Sequence, residues 1–135
     1  MSDEVPIRGY LLDTHTAIFS ISQSKSLSVC AKAAVAAGPN FLSVLSYWEV
    51  MLKSMKGRID VGDPRSWWLY ALDQLAATPL VLRPEHISGV HALPPIHKDP
   101  LDRKLIAQAM VERLALVTVD GEIARYASKT LRVIV

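Results

Sequence analysis

Short apolar runs that end in an acid alternate with longer stretches of helical periodicity along this chain. Residues 9–12 are apolar and lead straight into Asp13-Thr14-His15-Thr16, and residues 114–119 lead in the same way into Asp120-Gly121-Glu122. Neither run shows the period-2 alternation of a half-solvated strand, so each predicts a buried β-strand closed by an acid. Residues 41–44, 80–82 and 132–135 are three further strand candidates. Apolar spacing of three and four predicts helices over residues 26–37, 45–55, 65–77, 85–93, 100–114 and 122–127. Strands that alternate with helices in this way imply an α/β fold, with a central parallel twisted sheet of four to five strands and helices on both faces. In such a sheet the carboxyl ends of the strands share one edge, where ligands bind. Asp13 and Asp120 are therefore expected on the same crevice.

Composition narrows the class. A chain of 135 residues and 14.9 kDa can bury about two-thirds of its surface (roughly 7,000 Å² folded against 21,600 Å² unfolded), which suits one ordinary domain over residues 1–135. Hydrophobic residues at 50% and charged residues at 21% exclude disorder and fibrous repeats. A net charge of +2 excludes a protein that coats polyanions and leaves any nucleic-acid contact to local patches. The lone Cys30 allows neither an internal disulfide nor a cysteine-based zinc site. The longest uncharged stretch, residues 33–48, is too short to span a bilayer and is interrupted by Gly38-Pro39-Asn40. The acidic start Ser2-Asp3-Glu4 does not read as a signal peptide. The expected setting is a reduced cytoplasm, with no membrane association.

The acids carry the candidate chemistry, and each also has a purely structural reading. Asp13 before Thr14-His15-Thr16 suits the N-cap of a helix, and Asp120 before Gly121-Glu122 suits a turn or cap. Asp99-Pro100-Leu101-Asp102 has the grammar of a helix start: a capping acid, proline at the first position, and an acid where the dipole favours it. Glu49 lies at the edge of an apolar arc formed by Leu45, Trp48, Leu52 and Met55, and could simply pair with Lys53 four residues on. Taken together, all these positions can converge on one sheet edge. Carboxylates crowded in a crevice repel one another, and a cation offsets that repulsion. Oxygen-only ligands select a hard ion, Mg²⁺ or Mn²⁺. The four histidines show no metal-binding spacing: His86 and His91 read as structural or surface residues, and His15 and His97 as possible support for the acids. The chain lacks a glycine-rich phosphate loop, which argues against P-loop nucleotide hydrolysis.

Four segments then carry a resemblance over nearly the whole length. They are YLLDTHTAIF at 10–19, SVLSYWEVMLKSMKGRI at 43–59, IHKDPLDRKLIAQAM at 96–110 and LVTVDGEIARY at 116–126. In this order and spacing the chain resembles PIN-domain proteins of the VapC toxin type. The resemblance implies a PIN-like fold and a Mg²⁺- or Mn²⁺-dependent endoribonuclease whose site is Asp13, Glu49, Asp102 and Asp120, with Asp99 an additional metal-site acid. Thr118 matches a hydroxyl residue often placed beside the last acid, and Thr14 is a second candidate to support the acids. A small antitoxin that silences the toxin, and a homodimer, are also implied. The helix after the first acid usually carries a tryptophan where this chain has Phe19.

Setting aside the four candidate ligands raises the net charge of the remainder from +2 to +6. Lys53, Lys56, Arg58, Lys98, Arg103 and Lys104 neighbour the acids and are candidates for the RNA backbone. Trp67, Trp68 and Tyr70 could stack on bases, but a helix of this composition more often packs into a core or a partner. Two competing readings remain. An aspartate-nucleophile phosphatase also starts from a strand-end Asp but wants an acid where this chain has His15, and a non-catalytic Mg²⁺-binding receiver-like or partner-binding module has no use for Glu49.

Overall fold

The computed structural model describes residues 6–97 and 99–135; the acidic start Ser2-Asp3-Glu4 and Lys98 lie outside the described residues. Five parallel strands form one sheet: β1 (Tyr10–Leu12), β2 (Asn40–Ser43), β3 (Ala77–Leu80), β4 (Ala115–Val117) and β5 (Val133–Ile134), in the order β3-β2-β1-β4-β5. Six α-helices connect and cover them: α1 (Thr14–Ser22), α2 (Val29–Ala37), α3 (Val44–Met55), α4 (Pro64–Gln74), α5 (Pro84–Val90) and α6 (Pro100–Glu112). The expected α/β architecture with a parallel sheet is thus present.

The side-chain period of two in a strand sends alternate residues to opposite faces, and here it produces two cores. Leu12 pairs with Leu42 and Val117 in register, and all three lie in a cluster with Ala17, Ala31, Val50, Trp67, Trp68 and Ala71. Leu11, one position earlier, pairs with Phe41 and Leu116 and packs with Leu105, Ile106, Ala109, Ile123 and Tyr126 on the other face. Both faces are apolar, which explains why the strand sequences lack alternation. The central strands approach closely at their start, where Tyr10 N–H donates to Pro39 O at 2.9 Å. A Cβ on Gly9 would lie 2.5 Å from that same oxygen, so only glycine fits there.

Several helices begin on a side-chain cap. Asp13 receives Thr16 N–H, Ser28 receives Ala31 N–H, Ser43 receives Leu45 N–H, and Asp63 and Asp99 precede the prolines that open α4 and α6. These are residue types that favour capping, and two of them, Asp13 and Ser43, stand where a strand turns directly into a helix.

The structure corrects four predicted elements, the first being the helix expected over residues 65–77, which ends at Gln74 because Ala77 already pairs with Asn40 in β3. The third strand is Ala77–Leu80, not 80–82: pairing with Asn40–Ser43 sets its register, and Val81 and Leu82 are exposed beyond it. An edge position also lets Pro79 sit in the strand. Residues 122–127 form only a 3₁₀ turn, Ile123–Tyr126, because burying Ile123 and Tyr126 needs one turn and no more. The helix expected from residue 26 starts at Val29, after a separate 3₁₀ turn at Ser24–Ser26. Among the described residues no helix is long and apolar enough to cross a membrane.

Candidate metal centre

The strand order reverses between β1 and β4, and in open α/β sheets the crevice at such a switch point is where ligands bind. Asp13 follows β1 and Asp120 lies three residues beyond β4, so both acids flank that crevice. Asp13 is 7% exposed. Its Oδ1 receives Thr16 N–H at 2.8 Å as the cap of α1, and its Oδ2 receives the Thr118 hydroxyl at 2.5 Å. Thr118, wholly buried, also accepts Asp120 N–H at 3.0 Å. One hydroxyl therefore ties the two strand-end acids together. Burial pushes the Asp13 carboxyl above its ordinary value despite the bonds from Thr118 and Thr16.

Glu49 enters from α3, and its two oxygens meet different partners. Oε1 accepts the Thr14 hydroxyl at 2.6 Å, while Oε2 takes Lys53 Nζ at 2.5 Å. Thr14 belongs to α1 and also lies 3.0 Å from Ser46 Oγ, so α1 and α3 are locked together beside the acid. Asp102 sits in the first turn of α6. Burial first, then the negative charges of Asp99 and Glu49, push its carboxyl up to about 6, with His97 opposing and Asp13 adding. Asp102 thus feels the charges of Glu49 and Asp13 across the crevice. His97 Nε2 stands 3.4 Å from both Asp102 Oδ2 and Asp120 Oδ2, and the ligand atoms of these three residues lie within 4.8 Å of one another.

Asp99 stands apart from that trio. It is exposed, and its Oδ1 accepts Leu101 N–H at 2.9 Å as the cap of α6, which is its structural reading. Its part in the crevice is the charge it adds near Asp102.

The neighbouring cations and aromatics divide in ways the sequence did not reveal. Arg103 was a candidate for RNA, but its guanidinium is spent on Pro94 O, His97 O, Leu93 O and the Tyr126 hydroxyl. Lys53 is paired with Glu49. Lys56, Arg58 and Lys104 instead line a cleft of about 340 Å³ with Trp48, Glu49, Leu52 and Asp99. Trp67 and Trp68 are buried in the core, Tyr47 stacking on Trp68 with ring centroids 4.9 Å apart, and Tyr70 is half-exposed. The exposed aromatic beside the acids is Trp48, at 55%, which sequence reasoning placed on an apolar arc. Phe19 packs against the core, with His15 at 6.0 Å. His86 is buried against Glu112 at 2.9 Å and His91 is exposed, as expected for structural and surface residues. What sequence reasoning underrated was His97, whose one signal was its place two residues before Asp99.

Comparison with known proteins identifies the family and the fold. The PIN domain family matches residues 10–129, and the chain belongs to that family. No curated protein matches the chain. Its fold is similar to that of a toxin-antitoxin complex from Klebsiella pneumoniae, at 22% identity and TM-score 0.64, covering 94% of this chain and 97% of that one. It is also similar to VapBC2 from Rickettsia felis, bound to a DNA fragment from its promoter, at 13% identity and TM-score 0.67, covering 92% and 97%. VapBC-5 from Mycobacterium tuberculosis, a member of the VapBC family of toxin-antitoxin systems, follows at 17% identity and TM-score 0.58, covering 93% and 97%.

Proposed function

We propose that this protein is a metal-dependent endoribonuclease toxin of the VapC type, in which Asp13, Glu49, Asp102 and Asp120 hold Mg²⁺ or Mn²⁺. The observation that carries the reading is the charge arrangement at the switch point. Asp102 and Asp120 meet beside His97 with ligand atoms within 4.8 Å of one another, and burial together with the charges of Asp99, Glu49 and Asp13 pushes the Asp102 carboxyl up to about 6. An all-oxygen donor set under mutual repulsion fits a hard divalent cation. Such an ion, when bound, supplies an activated water and neutralises charge at the scissile phosphate.

The chain's own residues supply the rest. Thr118 fixes Asp13 relative to the Asp120 backbone, and Thr14 fixes one oxygen of Glu49. Lys56, Arg58 and Lys104 give the RNA backbone a cationic wall next to those acids, and Trp48 offers a face for an unstacked base. Asp99 contributes mainly as a cap and a nearby charge. A receiver-like module is disfavoured because Glu49, besides pairing with Lys53, is positioned from α1 by the Thr14 hydroxyl. The names of the similar complexes support an antitoxin partner, and a homodimer in the cytoplasm completes the proposal.

The test is RNA cleavage by purified protein freed of any bound partner. Cleavage should require Mg²⁺ or Mn²⁺ and stop in EDTA. Glu49→Gln should lower the rate by about 100-fold or more with its melting temperature little changed, and Asp99→Ala should lose less. Cleavage that persists in excess chelator, or a Glu49→Gln variant at the wild-type rate, would refute it.

A further inference from the structure

The trio of His97, Asp102 and Asp120 has the spacing of a metal-ligand set, yet the other side of the imidazole decides against ligation. Asp99 N–H donates to His97 Nδ1 at 3.1 Å. A nitrogen that accepts a hydrogen bond carries no proton, so in the neutral ring the proton is on Nε2. His86 obeys the same logic: its Nδ1 accepts Arg83 N–H at 3.0 Å and its Nε2 faces the Glu112 carboxylate at 2.9 Å. At His97, Nε2 stands between two carboxylates, 3.4 Å from one oxygen of each, an ion-pair distance to both without the geometry of a hydrogen bond to either. A lone pair for a metal is not available there.

The backbone that carries the ring is also held. His97 N–H donates to the Tyr126 hydroxyl at 2.6 Å, and Arg103 Nη1 reaches both His97 O at 3.3 Å and that hydroxyl at 3.2 Å. Arg103 further binds Pro94 O and Leu93 O, so the approach to α6 is fastened to α6 itself and to the turn after Asp120. Two buried or half-buried side chains thus serve to place one imidazole between two acids that come from distant segments of the chain.

We propose that His97 is a positioning residue: its Nε2 side stands between Asp102 and Asp120 and orients them for the cation, with Asp99 N–H holding the ring and with Arg103 and Tyr126 holding the His97 backbone, and it is not itself a metal ligand. This rests on the reading of the acids as the metal site. Groups that orient metal-binding carboxylates typically contribute ten- to a hundredfold to affinity, and the long, shared contact here puts His97 at the lower end.

Calorimetric titration of the full chain with MgCl₂ and with MnCl₂ tests it without recourse to RNA cleavage. His97→Ala should weaken both ions by roughly tenfold and by similar factors, and His97→Gln, whose amide N–H can stand where Nε2–H stands, should recover most of the loss. Long-range ¹H–¹⁵N spectra should place the His97 proton on Nε2 both before and after metal is added. A loss confined to Mn²⁺, or a move of that proton to Nδ1 on metal addition, would overturn the proposal in favour of direct ligation. Unchanged affinity in His97→Ala would overturn it in favour of a surface role. Absence of any binding by the wild type would overturn both this inference and the metal-site reading beneath it, which separates the two failures.

Discussion

Replacing Asp102 by Asn should make the metal-free protein more stable at neutral pH. The ordinary aspartate value is 3.8 and the folded value about 6; at 1.36 kcal/mol per pH unit that difference is worth about 3 kcal/mol. Asp102 is only partly buried, so solvent screening reduces the figure to about 1–2 kcal/mol. The sign follows from linkage. A carboxyl whose folded value is raised binds its proton more tightly in the folded state, so its favourable contribution is complete below about 3.8 and is lost as pH rises through about 6. At pH 7.5 the wild type therefore bears the full penalty of an ionised Asp102 that Asp102→Asn avoids. Urea unfolding in EDTA at pH 7.5 and at pH 4.5 measures both ends. The variant should gain about 1–2 kcal/mol at pH 7.5, and the gain should shrink at pH 4.5, where the wild-type carboxyl is largely protonated. Adding Mg²⁺ or Mn²⁺ should stabilise the wild type and narrow the gap. A variant less stable than wild type at pH 7.5, or a gain that does not change with pH, would refute the account of repelling carboxylates. Asp13 is a poorer subject for this experiment, because there the charge also receives the Thr118 hydroxyl and caps α1.

Three other outcomes follow from particular interactions. Thr118→Val keeps the shape but strips the hydroxyl that joins Asp13 to the Asp120 backbone, and should cost about 1–3 kcal/mol in chemical denaturation, together with at least about a tenfold loss of cleavage rate. Lys56→Ala, Arg58→Ala and Lys104→Ala should leave unfolding midpoints near wild type. Each of these substitutions that takes a cation away from an RNA phosphate should make the slope of log affinity for single-stranded RNA against log salt shallower by about 0.7 in a fluorescence binding assay. Arg103→Ala should act in the opposite manner, lowering stability by about 1–3 kcal/mol through the carbonyls it leaves without a donor, with no change in that salt slope.

Much of the architecture was legible because it depends on local rules. The uniformly apolar strands announced a sheet covered on both faces, and Asp13 and Asp99 announced helix starts through short-range capping that any chain can form. The misplaced elements had no such local marker. Residues 80–82 looked like a strand as readily as 77–80, and only pairing with Asn40–Ser43 set the register. Residues 122–127 carried helical spacing, but burying two side chains, Ile123 and Tyr126, suffices there.

The candidate site divides along the same line. Strand ends and helix starts in a parallel α/β fold gather at one edge, so the sequence pointed to Asp13, Glu49, Asp99, Asp102 and Asp120 as acids that could meet there, and the resemblance to PIN-domain proteins singled out four of them. The local pattern could not rank Asp99 against Asp102, since both fit the start of a helix; the fold turned one outward as a cap and pressed the other among like charges. Nor could it separate Arg103 from Lys56, Arg58 and Lys104, four cations of the same formal charge near the same acids. That distinction needed the loop before α6 to fold back over Arg103, spending its donors on carbonyls. His97 is the clearest case, for its Nδ1 interaction is local, while the two carboxylates before its Nε2 come from α6 and from the segment beyond β4. Residue type and spacing specify which groups a chain can offer, but which partner each one meets is a matter of distance, and distances between remote segments exist only once the sheet has assembled.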